Sequence, residues 1–159
     1  GALTAGTAVA ALLLALAAPS LPLDDLVTKL KPGATVEDLH LTLPDTAISD
    51  GRHLVALLSL AQEDVSGPAV EALNQLSASP GAPAVAVLYP DKEEVKDAFF
   101  WSWAPAFPMY RVGADEMRAL YRRLPRYFLV ENGVVKRVWN IMPEADVLIT
   151  NARAEAHRR

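Results

Sequence analysis

Three histidines, His40, His53 and His157, are the side chains best suited to metal ligation or proton transfer near neutral pH. They stand far apart in the chain and at no metal-ligand spacing. The serines lack a paired base in any recognisable nucleophile motif, so hydrolysis is not expected. No glycine loop of the phosphate-cradling kind occurs. Cysteine is absent from all 159 residues, which excludes disulfides, thiolate metal sites and dithiol redox chemistry. The expectation from reactive groups alone is a protein that is no enzyme and holds neither metal nor cofactor.

Aromatic side chains form the other conspicuous set. Phe99, Phe100, Trp101, Trp103, Phe107 and Tyr110 are six of the eleven aromatics, within twelve residues. Phe99 and Trp103 would share one helix face, while Phe100 and Trp101 point elsewhere. One face must pack on a sheet. Phe100, Trp101 and Phe107 are then candidates for contact with a partner or with lipid headgroups. The formal net charge is −4 and no basic stripe runs along any predicted helix, so nucleic acid is not expected as a partner.

The elements that must position these groups are clearest in residues 124–139, LPRYFLVENGVVKRVW. Arg126 to Glu131 and Val134 to Trp139 alternate around large apolar residues. Asn132-Gly133 between them is the strongest short hairpin signal, because a type I′ turn needs φ > 0 at both central positions. Upstream, VEDLHLTL (36–43) alternates with Leu39, Leu41 and Leu43 on one face, which predicts an edge strand ended by Pro44. HLVALLSL (53–60) and AVAVL (84–88) are apolar runs of strand length, expected to be buried on both faces. Helices are predicted over 66–77, over 92–103 with Asp91 as cap, over 114–123, and from about 143 to 157. A short strand is expected within 107–111. The order is β-α-β-α-(β)-α-β-β-α, an α/β sandwich around a mixed sheet.

Residues 2–18, from Ala2 to Ala18, carry no charge and approach one membrane-spanning length. A signal peptide cleaved near Ala15-Leu16-Ala17 competes with a retained transmembrane helix. The start at Gly1 and the lack of a basic stretch before the run favour retention. Many alanines and glycines make it a poor lone anchor but let it approach other membrane helices closely. The expected organisation is a transmembrane helix at 1–19, a linker at 20–34 and a globular domain at 35–159.

The closing section carries a resemblance. Tyr110 to Leu120, Leu124-Pro125, Tyr127 to Val130, Asn132-Gly133 and Val134 to Trp139 follow the pattern of TlpA-type periplasmic reductases and of the thioredoxin-like domains attached to some DoxX-family membrane proteins. The chain resembles these over about residues 35–149. The resemblance implies a thioredoxin-like α/β sandwich on the periplasmic side of a membrane. It also implies a Cys-x-x-Cys at the start of the helix after the first buried strand. Here that slot falls, to within about one residue, on Gln62-Glu63-Asp64-Val65. Neither Gln62 nor Val65 is a nucleophile, while the carboxylates of Glu63 and Asp64 favour a helix N-terminus. Oxidoreductase activity therefore does not carry over. Leu124-Pro125 resembles the family's cis-proline, where a backbone edge can pair with a bound peptide.

These features together predict a redox-inactive, membrane-anchored domain that serves as a structural or assembly subunit among integral membrane protein subunits, with electron-transport complexes as one candidate class. The alternative is a peptide-binding or chaperone-like module using the Pro125 edge. A thiol-disulfide reductase relative, or an enzyme built on Glu63 and Asp64, ranks below both.

Overall fold

Strands form where the sequence is apolar on both faces, and those runs become the centre of one five-stranded sheet. The computed structural model describes residues 28–44 and 47–149. The predicted Ala2–Ala18 membrane helix, the C-terminal tail beyond residue 149 and residues 45–46 lie outside that range. Among the described residues no helix is long and apolar enough to cross a membrane.

The sheet comprises β1 (Arg52–Leu57), β2 (Ala84–Tyr89), β3 (Met109–Arg111), β4 (Arg126–Glu131) and β5 (Val134–Trp139), in the spatial order β3-β2-β1-β4-β5. β1, β2 and β3 run parallel, and β4 and β5 run antiparallel to their neighbours. Leu54 to Leu57 are all buried, because helices or loops cover both faces of the central strand. The helices are α1 (Glu63–Ser77), α2 (Glu93–Trp103), α3 (Ala114–Arg118) and α4 (Ala145–Leu148). The element order matches the β-α-β-α-β-α-β-β-α expectation.

Each sheet face has its own core. On the α1 side, Val70, Leu73, Phe99 and Leu148 pack on Leu54, Ala56, Tyr127 and Leu129. On the other side, Leu30, Leu39, Ile48, Met117 and Leu120 pack on Val55, Leu57, Phe128 and Val130. Fully burying each such side chain contributes roughly 1.5–3 kcal/mol. Leu30 and Ala34 lie in the stretch read as linker, yet both are buried in this second core. The backbone of residues 33–36 also bonds to Val135 and Gly133, so packed structure begins before residue 35.

The predicted edge strand at 36–43 is not a strand. Glu37–Leu39 is a single 3-10 turn. Thr35 N–H donates to the Asp38 carboxylate at 2.9 Å and Asp38 N–H donates to the Thr35 hydroxyl at 3.2 Å. This reciprocal pair captures the backbone locally and competes with a ladder. Leu39 is buried, and Leu41 and Leu43 pack partly buried against the same core, so the apolar face forms without the strand.

The hairpin forms as the Asn-Gly pair requires, with Asn132 at φ 50° and Gly133 at φ 80°. The Asn132 side-chain carbonyl also accepts from Gly51 N–H at 3.2 Å, tying the turn to the start of β1. α1 begins one turn earlier than predicted, at Glu63, and α3 ends five residues earlier than predicted, at Arg118. Pro68 therefore sits in the second turn of α1 and cannot donate to the Asp64 carbonyl.

Candidate functional site

Where β1 and β2 end, the chain must turn from strand to helix, and the loop before α1 is held by partners distant in sequence. Asp91, expected to cap α2, instead accepts from Leu60 N–H at 2.7 Å and Ala61 N–H at 3.1 Å. Two charge-assisted bonds to loop amides outweigh a single cap bond, and α2 starts after Lys92 with no side-chain cap. From the first turn of α1, the buried Ser66 hydroxyl donates back to the Ser59 carbonyl in that loop at 2.6 Å.

Gln62 to Val65 form the N-terminus of α1, with Gln62 as N-cap, and all four are exposed. Glu63 already has a partner. Trp103 Nε1–H donates to its carboxylate at 2.8 Å. The indole lies flat on Gly67, where an added Cβ would sit 2.1 Å from Trp103 Cζ2. Glycine is required there by close approach rather than by backbone angle. Phe99 stacks against Trp103 with centroids 6.3 Å apart. Asn74 fastens the chain after α2, accepting from Ala106 N–H at 2.7 Å and donating to the Ala104 carbonyl at 3.3 Å. A tryptophan thus covers the first two turns of α1.

Across the cleft lies the segment before β4. The Leu124-Pro125 peptide bond is cis. The next residue, Arg126, is 1% exposed, which the sequence did not foretell. Its guanidinium donates to the Leu120 carbonyl at 2.7 Å, the Thr28 hydroxyl at 2.8 Å and the Leu30 carbonyl at 3.3 Å. One buried cation therefore gathers the incoming N-terminal segment, the end of α3 and the start of β4. Between the two flanks is a depression of about 440 Å³, lined by Ser59, Gln62, Pro90, Tyr121, Arg122, Arg123 and Leu124. It brings together Gln62 of the predicted slot and Leu124 of the predicted proline edge, while Glu63, Asp64, Val65 and Pro125 are not among its lining residues. Two exposed guanidinium groups and an amide line it, so it can bind through charge and hydrogen bonds. No thiol is available for redox exchange.

The remaining candidates are scattered. Trp101 is 90% exposed and Phe100 36%, with the Lys96 ammonium 5.4 Å above the Phe100 ring. Phe107 is half-buried against the α1-side core. His40 is exposed in a left-handed turn. Half-buried His53 is pulled below the usual imidazole value by burial, with Asp50 opposing. His157 lies outside the described residues. Among the described residues no three His, Cys, Asp or Glu side chains converge as metal ligands.

A mixed five-stranded sheet of this order, with a cis X-Pro opening the antiparallel hairpin beside a helix N-terminus, defines a thioredoxin-like domain, here without its Cys-x-x-Cys. Solved structures agree with that class. A secreted Mycobacterium tuberculosis disulfide oxidoreductase, homologous to E. coli DsbE, superimposes with a TM-score of 0.53 at 10% identity, over 74% of this chain and 90% of its own. A thiol-disulfide isomerase from Corynebacterium glutamicum gives 0.51 at 11% identity, over 79% and 97%. The C-terminal domain of a putative thiol-disulfide oxidoreductase from Bacteroides thetaiotaomicron gives 0.53 at 9% identity, over 72% and 80%. At such identities the likeness is one of fold. No family model matches the sequence, and no curated protein matches it either.

Proposed function

We propose that this chain is a redox-inactive thioredoxin-fold subunit of an integral membrane complex, anchored through Ala2–Ala18, with its globular domain on the extracytoplasmic side. The observation that carries the reading is the pair Trp101 and Phe100. Trp101 leaves nine-tenths of its surface in water on a helix whose opposite face already packs on the sheet. An aromatic pair of that kind is typical of an interface anchor. Two further features support it. The chain has no thiol for the chemistry of its structural neighbours, and the apolar N-terminal run is rich in residues that suit helix packing. The secreted neighbour from Mycobacterium tuberculosis supports the extracytoplasmic side. Electron-transport complexes are the first class to examine. Gentle native electrophoresis of solubilised membranes tests the idea: the chain should migrate with larger subunits, and Trp101→Ala should release it. A solitary monomer at every detergent level refutes the reading.

The depression beside Leu124-Pro125 favours a second reading, a peptide-binding or chaperone-like module. Extended peptides would then bind, and Tyr121→Ala or Leu124→Ala would weaken that binding about tenfold or more, as for an interface hot spot. Titration of a labelled unfolded chain decides it, and absence of saturable binding rules it out.

A further inference from the structure

We propose that the flank of the depression bearing Arg122 and Arg123 rests on the anionic phospholipid headgroups of the bilayer that holds residues 2–18. The inference depends on that segment being membrane-embedded. Its first support is where the chain enters the fold. Thr28 accepts a hydrogen bond from Arg126, which pairs in register with Leu57 at the end of β1. Lys29 N–H donates to the Ala119 carbonyl at 3.0 Å. From there the chain crosses a sheet face until Val36 N–H reaches Gly133 at the opposite pole. The entry point is therefore at the depression, not at the hairpin turn.

Reach is the second support. Nine residues, 19–27, separate Ala18 from Thr28, and such a stretch spans at most about 35 Å when fully extended. The hairpin-turn pole lies a further strand length away, about 20 Å. A domain tethered this way turns its depression toward the bilayer more readily than its far end.

Charge selects the flank. Lys29, Arg122 and Arg123 are exposed on the side of α3 and Leu124. Arg118 is next to them, in an ion pair with Asp115. Tyr121 and Leu124, half-buried in the same wall, offer apolar surface at interfacial depth. The far rim carries Glu63 and Asp64, so it is the α3 side that meets lipid. The opposite pole presents Glu37, Asp38 and Asp50, with Lys31 close enough to Asp38 to offset part of that charge, and so is less attracted to an anionic surface. Each basic group near such a surface biases occupancy by roughly fivefold, so three act together without a deep pocket.

The cysteine-free chain allows a direct test on the full-length protein. Single variants Gln62→Cys, in the depression, and Glu37→Cys, at the far pole, are labelled with a fluorophore. Each is reconstituted into phosphatidylcholine vesicles with or without phosphatidylglycerol, containing a headgroup-attached nitroxide quencher. With anionic lipid, quenching at position 62 should exceed that at 37 by about threefold or more. It should fall toward the position-37 level in high salt and in an Arg122→Glu/Arg123→Glu background, with Arg122→Gln/Arg123→Gln between. Equal quenching at both positions, in a chain that resists carbonate extraction, overturns the docking and leaves the anchor standing. Extraction by carbonate removes the anchor and the docking together. Quenching indifferent to charge reversal also overturns the proposal.

Discussion

The N-terminus of α1 and the segment leading into β4 face each other across one depression, and they are held in place by opposite means. The α1 flank is exposed and is fixed from outside, by the Trp103 indole lying on Gly67 and donating to Glu63. The β4 flank is fixed from inside, by a guanidinium sealed in the core with carbonyl partners. The position where the resemblance implies a dithiol is ordinary exposed helix surface without a thiol, while the scaffold opposite it is tightly determined.

The largest break in that comparison is Arg126→Met. Methionine keeps much of the volume but strips the Leu120 and Leu30 carbonyls of a charged donor in a buried place. Leaving such groups unsatisfied costs about 3–5 kcal/mol in all. Urea unfolding should show the loss in its midpoint, and limited proteolysis should open the chain near residues 28–30 first. A loss under about 1 kcal/mol would mean that the β4 flank is not held from inside.

The α1 flank responds differently. Gly67→Ala places a methyl group in the Trp103 ring, and overpacking of that kind costs about 1–3 kcal/mol. The same change gains about 1 kcal/mol of helix propensity, so a net loss of up to about 2 kcal/mol is expected. In a Trp103→Leu background the clash disappears, and Gly67→Ala should become neutral or stabilising. Thermal denaturation of the four proteins in this cycle measures the coupling. Additive effects would show that the indole does not cover α1 in solution.

Much of this architecture was legible beforehand because it rests on short-range rules. Asn132-Gly133 announced the hairpin, and the runs around Val55 and Ala86 announced buried strands. The 36–43 segment misled because Thr35 and Asp38 satisfy each other's backbone, a local bond that overrides alternation. The contacts that build the depression were illegible for a different reason. Asp91 reaches the Leu60 amide across 31 residues, Glu63 meets Trp103 across 40, and Arg126 meets Thr28 across 98. An arginine beginning a strand looks like a solvated end until the chain supplies carbonyls around it. The resemblance points to both the slot and the proline edge, but nothing in the 114–123 pattern singles out Arg122 and Arg123, which line the cleft beside them.

Asp91 sharpens the comparison because it supports the α1 flank from below. Asp91→Asn keeps one acceptor and loses the charge, so one of the two amide bonds is weakened and the other is lost. A cost of about 1–2 kcal/mol is expected. Hydrogen exchange should quicken at Leu60 and Ala61 and leave the amides of residues 126–131 unchanged. Coupled exchange at both flanks would mean that the two are one unit rather than two.

The smallest effect sets a reference at the far end of β1. His53 is held below its ordinary imidazole value chiefly by burial, with the nearby Asp50 acting in the opposite sense. The unfolded chain then binds a proton at this position more readily than the folded one. Stability should therefore fall as the pH drops through the ordinary histidine value near 6.5, and it should be fully present above it. His53→Gln removes that slope between about pH 7 and 5.5, a window above the range in which the carboxylates titrate. The Arg126 and Gly67 variants should keep the slope and differ from wild type by a constant offset, because neither group changes protonation there. A slope that vanished with either of them would tie the depression to the hairpin-turn pole, and the two flanks could no longer be treated as local structures hung on a rigid sheet.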